Sequence, residues 1–246
     1  MDDPVVAAEP LRVWRTLGDA LRVYRLLFQR SVTTAAVVYA AIALIDIGHH
    51  ATSSSAARGL AVVAFVLGLA GPLIVQGALV EIVRNVHEGQ PPERIGELVQ
   101  RGGGRLWPLL GGSLIYAIGV LFALVLLVVP GLILAARWSL LAPLVVLERR
   151  GIGDALYRSK TLVKGHTGAV LGCVVVTYLV SDCLFWALFF SHTGFTTTAF
   201  LTFAWSALTA PFSAHVRTVI YYRLADPGRP VIDPRVFTWR SVWEGR

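Results

Sequence analysis

Within its long apolar stretches this sequence has almost no charge, and over the whole chain only 15% of residues are Asp, Glu, Lys or Arg. A soluble domain carries about a quarter, so an ordinary cytosolic protein is excluded. Cysteine is scarce as well. Cys173 and Cys183 fall on one expected helix, about 15 Å apart at 1.5 Å per residue, which is too far for a disulfide; both read as small buried hydrophobes. There is no nucleophile elbow, HExxH, Walker loop or zinc spacing, so neither enzymatic chemistry nor a cofactor is expected. The N-terminal region has no apolar core followed by a small-residue cleavage site, and the first span is expected to be retained as an anchor.

Apolar residues are abundant, at 55% of the chain, with a mean hydropathy of +0.65. They gather in six runs, roughly Ser31 to Ile47, Leu60 to Val83, Leu106 to Val129, Gly131 to Leu147, Gly168 to Phe190 and Phe195 to Ile220. A spanning helix needs about 17 to 25 residues, so the chain is expected to be an all-α integral membrane protein of six transmembrane helices. Residues 1–30 then form an N-terminal amphipathic segment, 31–224 the membrane domain and 225–246 a tail with Phe237, Trp239 and Trp243 among arginines.

The net charge of +7 admits nucleic acid as a partner, but its distribution points to topology instead. All but two of the 22 basic residues fall before the first run, after the second and fourth, or at or beyond the end of the sixth. The exceptions are Arg58, in the loop after His49 and His50, and Arg137. By the positive-inside rule both termini are expected to be cytoplasmic. The expected partners are membrane lipids, with anionic headgroups drawn to the basic face at about 1 kcal/mol per surface Lys or Arg. A membrane-protein partner or a second copy is the alternative, and no nucleic acid is expected.

Short elements recur between the runs. Leu11, Trp14, Leu17, Leu21, Tyr24 and Phe28 repeat at steps of three and four, opposite Arg12, Arg15, Asp19 and Arg22, which predicts a basic amphipathic helix at the inner surface. Within it lies Leu17-Gly18-Asp19-Ala20-Leu21; Ile152-Gly153-Asp154-Ala155-Leu156 precedes the fifth run, and a weaker copy, Ile95-Gly96-Glu97-Leu98, precedes the third. Each leads into two runs, the second of which carries a proline: Pro72, Pro143 and Pro211. The order predicts three units of one surface helix plus a hairpin, a parallel threefold repeat about an axis along the membrane normal. The plainer reading is that Gly-Asp-Ala-Leu is simply a good helix start.

Pro130-Gly131, Arg137-Trp138, Pro143, Glu148, Ala155-Leu156, Arg158-Ser159, Leu162 and Gly165, followed by Pro211 and Tyr221-Tyr222, carry a resemblance. The stretch 128–224 resembles the six-span membrane domain that precedes the catalytic domain in some glycerophosphoryl diester phosphodiesterases and that also occurs as stand-alone bacterial and archaeal membrane proteins. The resemblance implies the fold and a bacterial or archaeal plasma membrane as its host. It does not bring the enzymatic activity, because the phosphodiesterase domain is not in this chain.

Few charges remain inside or beside the runs. Arg137 and Asp182 are expected about 10 Å below the outer surface on neighbouring hairpins. They read as an intramembrane ion pair that is structural or that serves ion or proton transport; an arginine snorkelling outward is the third reading. Asp46 and Arg58 form a second expected pair at the outer rim, and Glu81 falls at the inner rim. His49, His50 and His192 face outward with Asp46 but lack convincing ligand spacing, so they read as polar rim residues and no metal is expected. His166 and His215 read as inner-surface residues. Pro72, Pro143 and Pro211 read as packing kinks or as the lining of a central cavity with freed carbonyls. Gly102-Gly103-Gly104, between Arg101 and Arg105, reads as a flexible joint. The functional expectation is a non-enzymatic membrane protein, a lipid- or protein-interacting scaffold or accessory subunit. A small transporter or channel with a central cavity is the alternative, and an intramembrane enzyme the third reading.

Overall fold

The computed structural model describes residues 11–51, 56–90, 93–191 and 195–231. Among them the chain is helical throughout. Helices α1 (Val13–Leu26), α2 (Phe28–Ala51) and α3 (Ala56–Glu88) are followed by α4 (Ile95–Gly103), α5 (Leu106–Leu126), α6 (Val128–Trp138) and α7 (Leu141–Leu147), then by α8 (Ile152–Val163), α9 (Thr167–Ser191) and α10 (Phe195–Ala225). Four stretches are long and apolar enough to cross a bilayer: Phe28–Ile45, Ala61–Glu88, Leu106–Leu126 and Val128–Leu147. The bent pair of α8 with Thr167–Cys183 makes a fifth if it counts as one span. Helix α10 has the length, but Thr202, Ser206, Thr209, Ser213, His215, Arg217 and Thr218 dilute its apolar content.

The ends of the helices that carry most of the arginines gather into a basic end of the bundle. Here the packing is dense. Leu79, Val80 and Val83 of α3, Leu144 and Val145 of α7, Ala155 of α8, and Val219 and Ile220 of α10 have no exposed surface. The far halves are the reverse: Leu44, Phe65, Ile118, Leu121, Phe122, Val125, Leu179 and Phe200 are all exposed. Large apolar side chains in such numbers on one surface call for an apolar solvent. At the basic end Trp14, Trp107 and Tyr157 are also exposed, close in sequence to Arg12, Arg15, Arg105 and Arg158.

The span Val128–Leu147 is broken in its middle, and proline explains the break. Pro143 sits in the first turn of α7, where it has no N–H for the Ser139 carbonyl and its ring would clash with that group in a continuous helix. Ser159 of α8 seals the gap. Its hydroxyl accepts the Leu140 N–H at 3.3 Å and donates to the Arg137 carbonyl at 2.6 Å. Helix α8 then turns through 112° into α9, across Gly165, whose φ of +91° a residue with a Cβ rarely adopts.

Several expectations are corrected. The third and fourth runs part at the extended Leu127, inside the expected third run, and Pro130 lies in the first turn of α6, where its missing N–H is no loss. The Gly102-Gly103-Gly104 joint is ordered: Gly102 and Gly103 end α4, and Gly102 is buried against α3, so close that a Cβ there would lie 2.8 Å from the Ala78 nitrogen and the Ile74 carbonyl oxygen. Helix α1 packs through Thr16, Leu17, Ala20 and Val23; of the expected row Leu17 is buried and Tyr24 reaches α10, whereas Trp14, Leu21 and Phe28 stay outside. Cys183 is exposed, whereas Cys173 is buried as expected.

Candidate functional site

Arg137 and Asp182 are not brought together. No ion pair joins them among the described residues, Asp182 is exposed on α9, and the Nε of Arg137 is buried without a hydrogen-bond partner. Asp182→Asn is therefore expected to shift stability in detergent by no more than about 0.5 kcal/mol, as measured by thermal unfolding; a loss of several kcal/mol would restore the pair. The side chains of Asp46, His49, His50 and Arg58, together with His192, lie outside the described residues. Glu81 is 6% exposed and pairs with Arg84, Oε2 to Nη2 at 2.8 Å.

His215 is not an inner-surface residue. It is fully buried, its Nε2 lies 3.0 Å from the Ser31 hydroxyl, and the Tyr24 ring stands edge-on 6.2 Å away. Around it α1, α2 and α10 are tied together: the Tyr24 hydroxyl donates to the Leu208 carbonyl at 3.0 Å, and Arg223 reaches the Thr16 hydroxyl at 3.1 Å and the Asp19 carboxylate. Burial holds the Tyr24 hydroxyl above its ordinary pKa. At the end of the bundle Glu148 accepts a hydrogen bond from Tyr221 at 3.1 Å and is flanked by Arg150 and Arg158. Its hydrogen bond, and then its charge, raise the pKa of Arg150. These groups lock helix ends to one another. Together they form a clasp.

A cavity lies deeper. It has a volume of about 150 Å³ and is lined by Tyr39 of α2, Pro72, Val75, Gln76 and Leu79 of α3, and Ala210, Ser213 and Arg217 of α10. Pro72 lines it directly, and Ala210 precedes Pro211, which is buried; Pro143 is buried in α7, away from the cavity. The cavity is thus between three helices, α2, α3 and α10. Arg217 precedes the end of α10 by eight residues, about 12 Å along the axis. Its guanidinium carbon is 5.9 Å from the centre of the Tyr178 ring of α9, a distance at which ring and cation attract. No carboxylate pairs with it among the described residues.

By sequence Arg217 groups with the basic residues that follow the sixth run. The signal that separates it from them is that no helix breaker follows it until Asp226-Pro227, so Arg217 is well inside the helix. Its partners Tyr39, Gln76 and Ser213 carry no motif and become a group only when three helices meet. Among the described residues no cluster of His, Cys, Asp and Glu is arranged to hold a metal. No protein family, curated protein or solved structure matches the chain.

Proposed function

We propose that this is a non-enzymatic integral membrane protein that interacts with lipid, acting as a scaffold or accessory subunit in a plasma membrane with both termini cytoplasmic. In this reading α2, α3, α5, α6 with α7, α9 and α10 are six spans, and α1, α4 and α8 are the surface helices that open three repeated units. The helix order short, long, long supports it, as does the placement of Pro72, Pro143 and Pro211 in the second span of each unit. So does the resemblance to stand-alone six-span membrane domains.

The observation that carries the lipid reading is the surface itself. Exposed Leu, Ile, Val and Phe side chains cover the far halves of the helices, and exposed Trp14, Trp107 and Tyr157 stand beside arginines at the basic end. Aromatic rings settle at the headgroup level and arginines reach anionic phosphates from there. The test is crosslinking and mass spectrometry of the protein purified in native lipid: copurifying anionic lipid or a crosslinked membrane partner is expected. A partner-free monomer without bound lipid would end the scaffold reading. Transport is the second reading, and the polar cavity beside Arg217 is the observation that favours it.

A further inference from the structure

We propose that the cavity between α2, α3 and α10 binds the anionic headgroup, phosphate or carboxylate, of a membrane amphiphile, with Arg217 as its counter-charge. The inference rests on the lipid-interacting reading and deepens it by naming a site and a ligand class.

A guanidinium within an apolar helix bundle is costly unless an opposite charge or a set of acceptors meets it. Arg217 has the face of Tyr178 on one side, which offsets only part of that cost. On its other side is space, not a carboxylate: none of the eight lining residues is acidic. The polar groups that share the space are the Tyr39 hydroxyl, the Gln76 amide and the Ser213 hydroxyl. The Ser213 proton is already donated to the Ala210 carbonyl at 2.9 Å, whereas the Tyr39 and Gln76 donors have no protein acceptor among the described residues. Arginine presents its donors in a fork that fits two oxygens of one phosphate or carboxylate. Donors in excess, a fixed positive charge and no acid together select an anion.

The remaining wall selects the rest of the molecule. Pro72, Val75, Leu79 and Ala210 offer only apolar surface, suited to the methylenes next to a headgroup and ill-suited to a fully hydrated ion. About 150 Å³ accommodates a phosphate or carboxylate but not a large sugar headgroup or a whole lipid, so the acyl chains remain in the bilayer. The depth is consistent with this. From the basic end, Tyr39, Gln76 and Arg217 lie 11, 12 and 8 residues along α2, α3 and α10 respectively, about 12 to 18 Å, which places the headgroup below the level of the surface arginines.

The experiment compares wild type with Arg217→Gln in a neutral detergent, reading thermal stability and bound lipid by native mass spectrometry. Three probes are added: phosphatidylglycerol, phosphatidylcholine and inorganic phosphate. Phosphatidylglycerol is expected to stabilise and bind wild type, with R217Q binding it at least about tenfold more weakly; phosphatidylcholine and inorganic phosphate are expected to do little. Equal phosphatidylglycerol binding by wild type and folded R217Q would overturn the site while leaving the lipid reading intact, the surface arginines then being the contact. No preference for phosphatidylglycerol in either protein would overturn both. Protection of wild type by inorganic phosphate alone, lost in R217Q, would overturn the amphiphile in favour of a free anion. If R217Q does not fold, Gln76→Leu on the facing wall carries the same comparison with the same outcomes.

Discussion

Gly102→Val is expected to destabilise the protein by about 3 kcal/mol, the upper end for forcing atoms into a packed site. The cause is the crossing of α4 over α3. A Cβ at Gly102 would come within 2.8 Å of both the Ala78 nitrogen and the Ile74 oxygen, and a Cβ at Gly77 would come within 3.0 Å of the Gly102 Cα. These neighbours are backbone, so no side chain can swing aside, and the two helices must separate. For a chain of this size about 3 kcal/mol corresponds to a melting point lower by roughly 6 to 12 °C, measurable by thermal unfolding in mild detergent. Gly103→Ala is the control, because nothing lies within 4 Å of its Cβ position; it should melt with wild type or slightly above it. If G102V and G103A melt together, the crossing is wrong.

Ser159→Ala should cost about 2 kcal/mol although it removes one oxygen atom. The Ser159 hydroxyl is the partner of two backbone groups left over where α6 gives way to α7, the Leu140 N–H and the Arg137 carbonyl. Ser159 has no exposed surface, so water has no path to replace it, and unmet buried groups of this kind cost about 1 to 3 kcal/mol. Thr161→Ala is the matched comparison: that hydroxyl is exposed and only bonds back to the Tyr157 carbonyl at 2.9 Å, so its loss should stay within about 0.5 kcal/mol. Equal melting points for S159A and T161A would remove the seal from the account of the break.

The contrast between these two positions shows what the sequence makes readable. The starts of α4 at Ile95, α5 at Leu106 and α8 at Ile152 are plain in it, since acidic first turns and the onset of apolar runs are local signals. The break at Ser139-Leu140 is half legible: Pro143 announces a disturbed helix, but that Ser159 repairs it depends on a contact across 19 residues. Gly102 reads as loose because three glycines in a row usually are; its role comes from Gly77, 25 residues earlier in the chain. In α1 the large residues dominate the pattern, while the surface that packs shares only Leu17 and Tyr24 with them and adds Thr16, Ala20 and Val23. The candidate site is the least legible part. Arginines outside the spans outnumber those inside, so Arg217 is absorbed into a topological signal, and Tyr39, Gln76 and Ser213 are ordinary residues until the helices bring them to one cavity.

The clasp between α1 and α10 also sets a timetable. Tyr24 bonds to Leu208, 184 residues later, and Asp19 waits 204 residues for Arg223. At about 5 to 20 residues per second, the first helix emerges from the ribosome some 10 to 40 seconds before its partner exists. Throughout that interval Thr16, Ala20 and Val23 have no α10 to cover them, while Trp14 and Leu21 stay exposed even in the finished fold. The last helix to be made, α10, is therefore the one that closes the base, and a nascent chain stopped before Arg223 would be left with its first helix undocked and open to proteolysis.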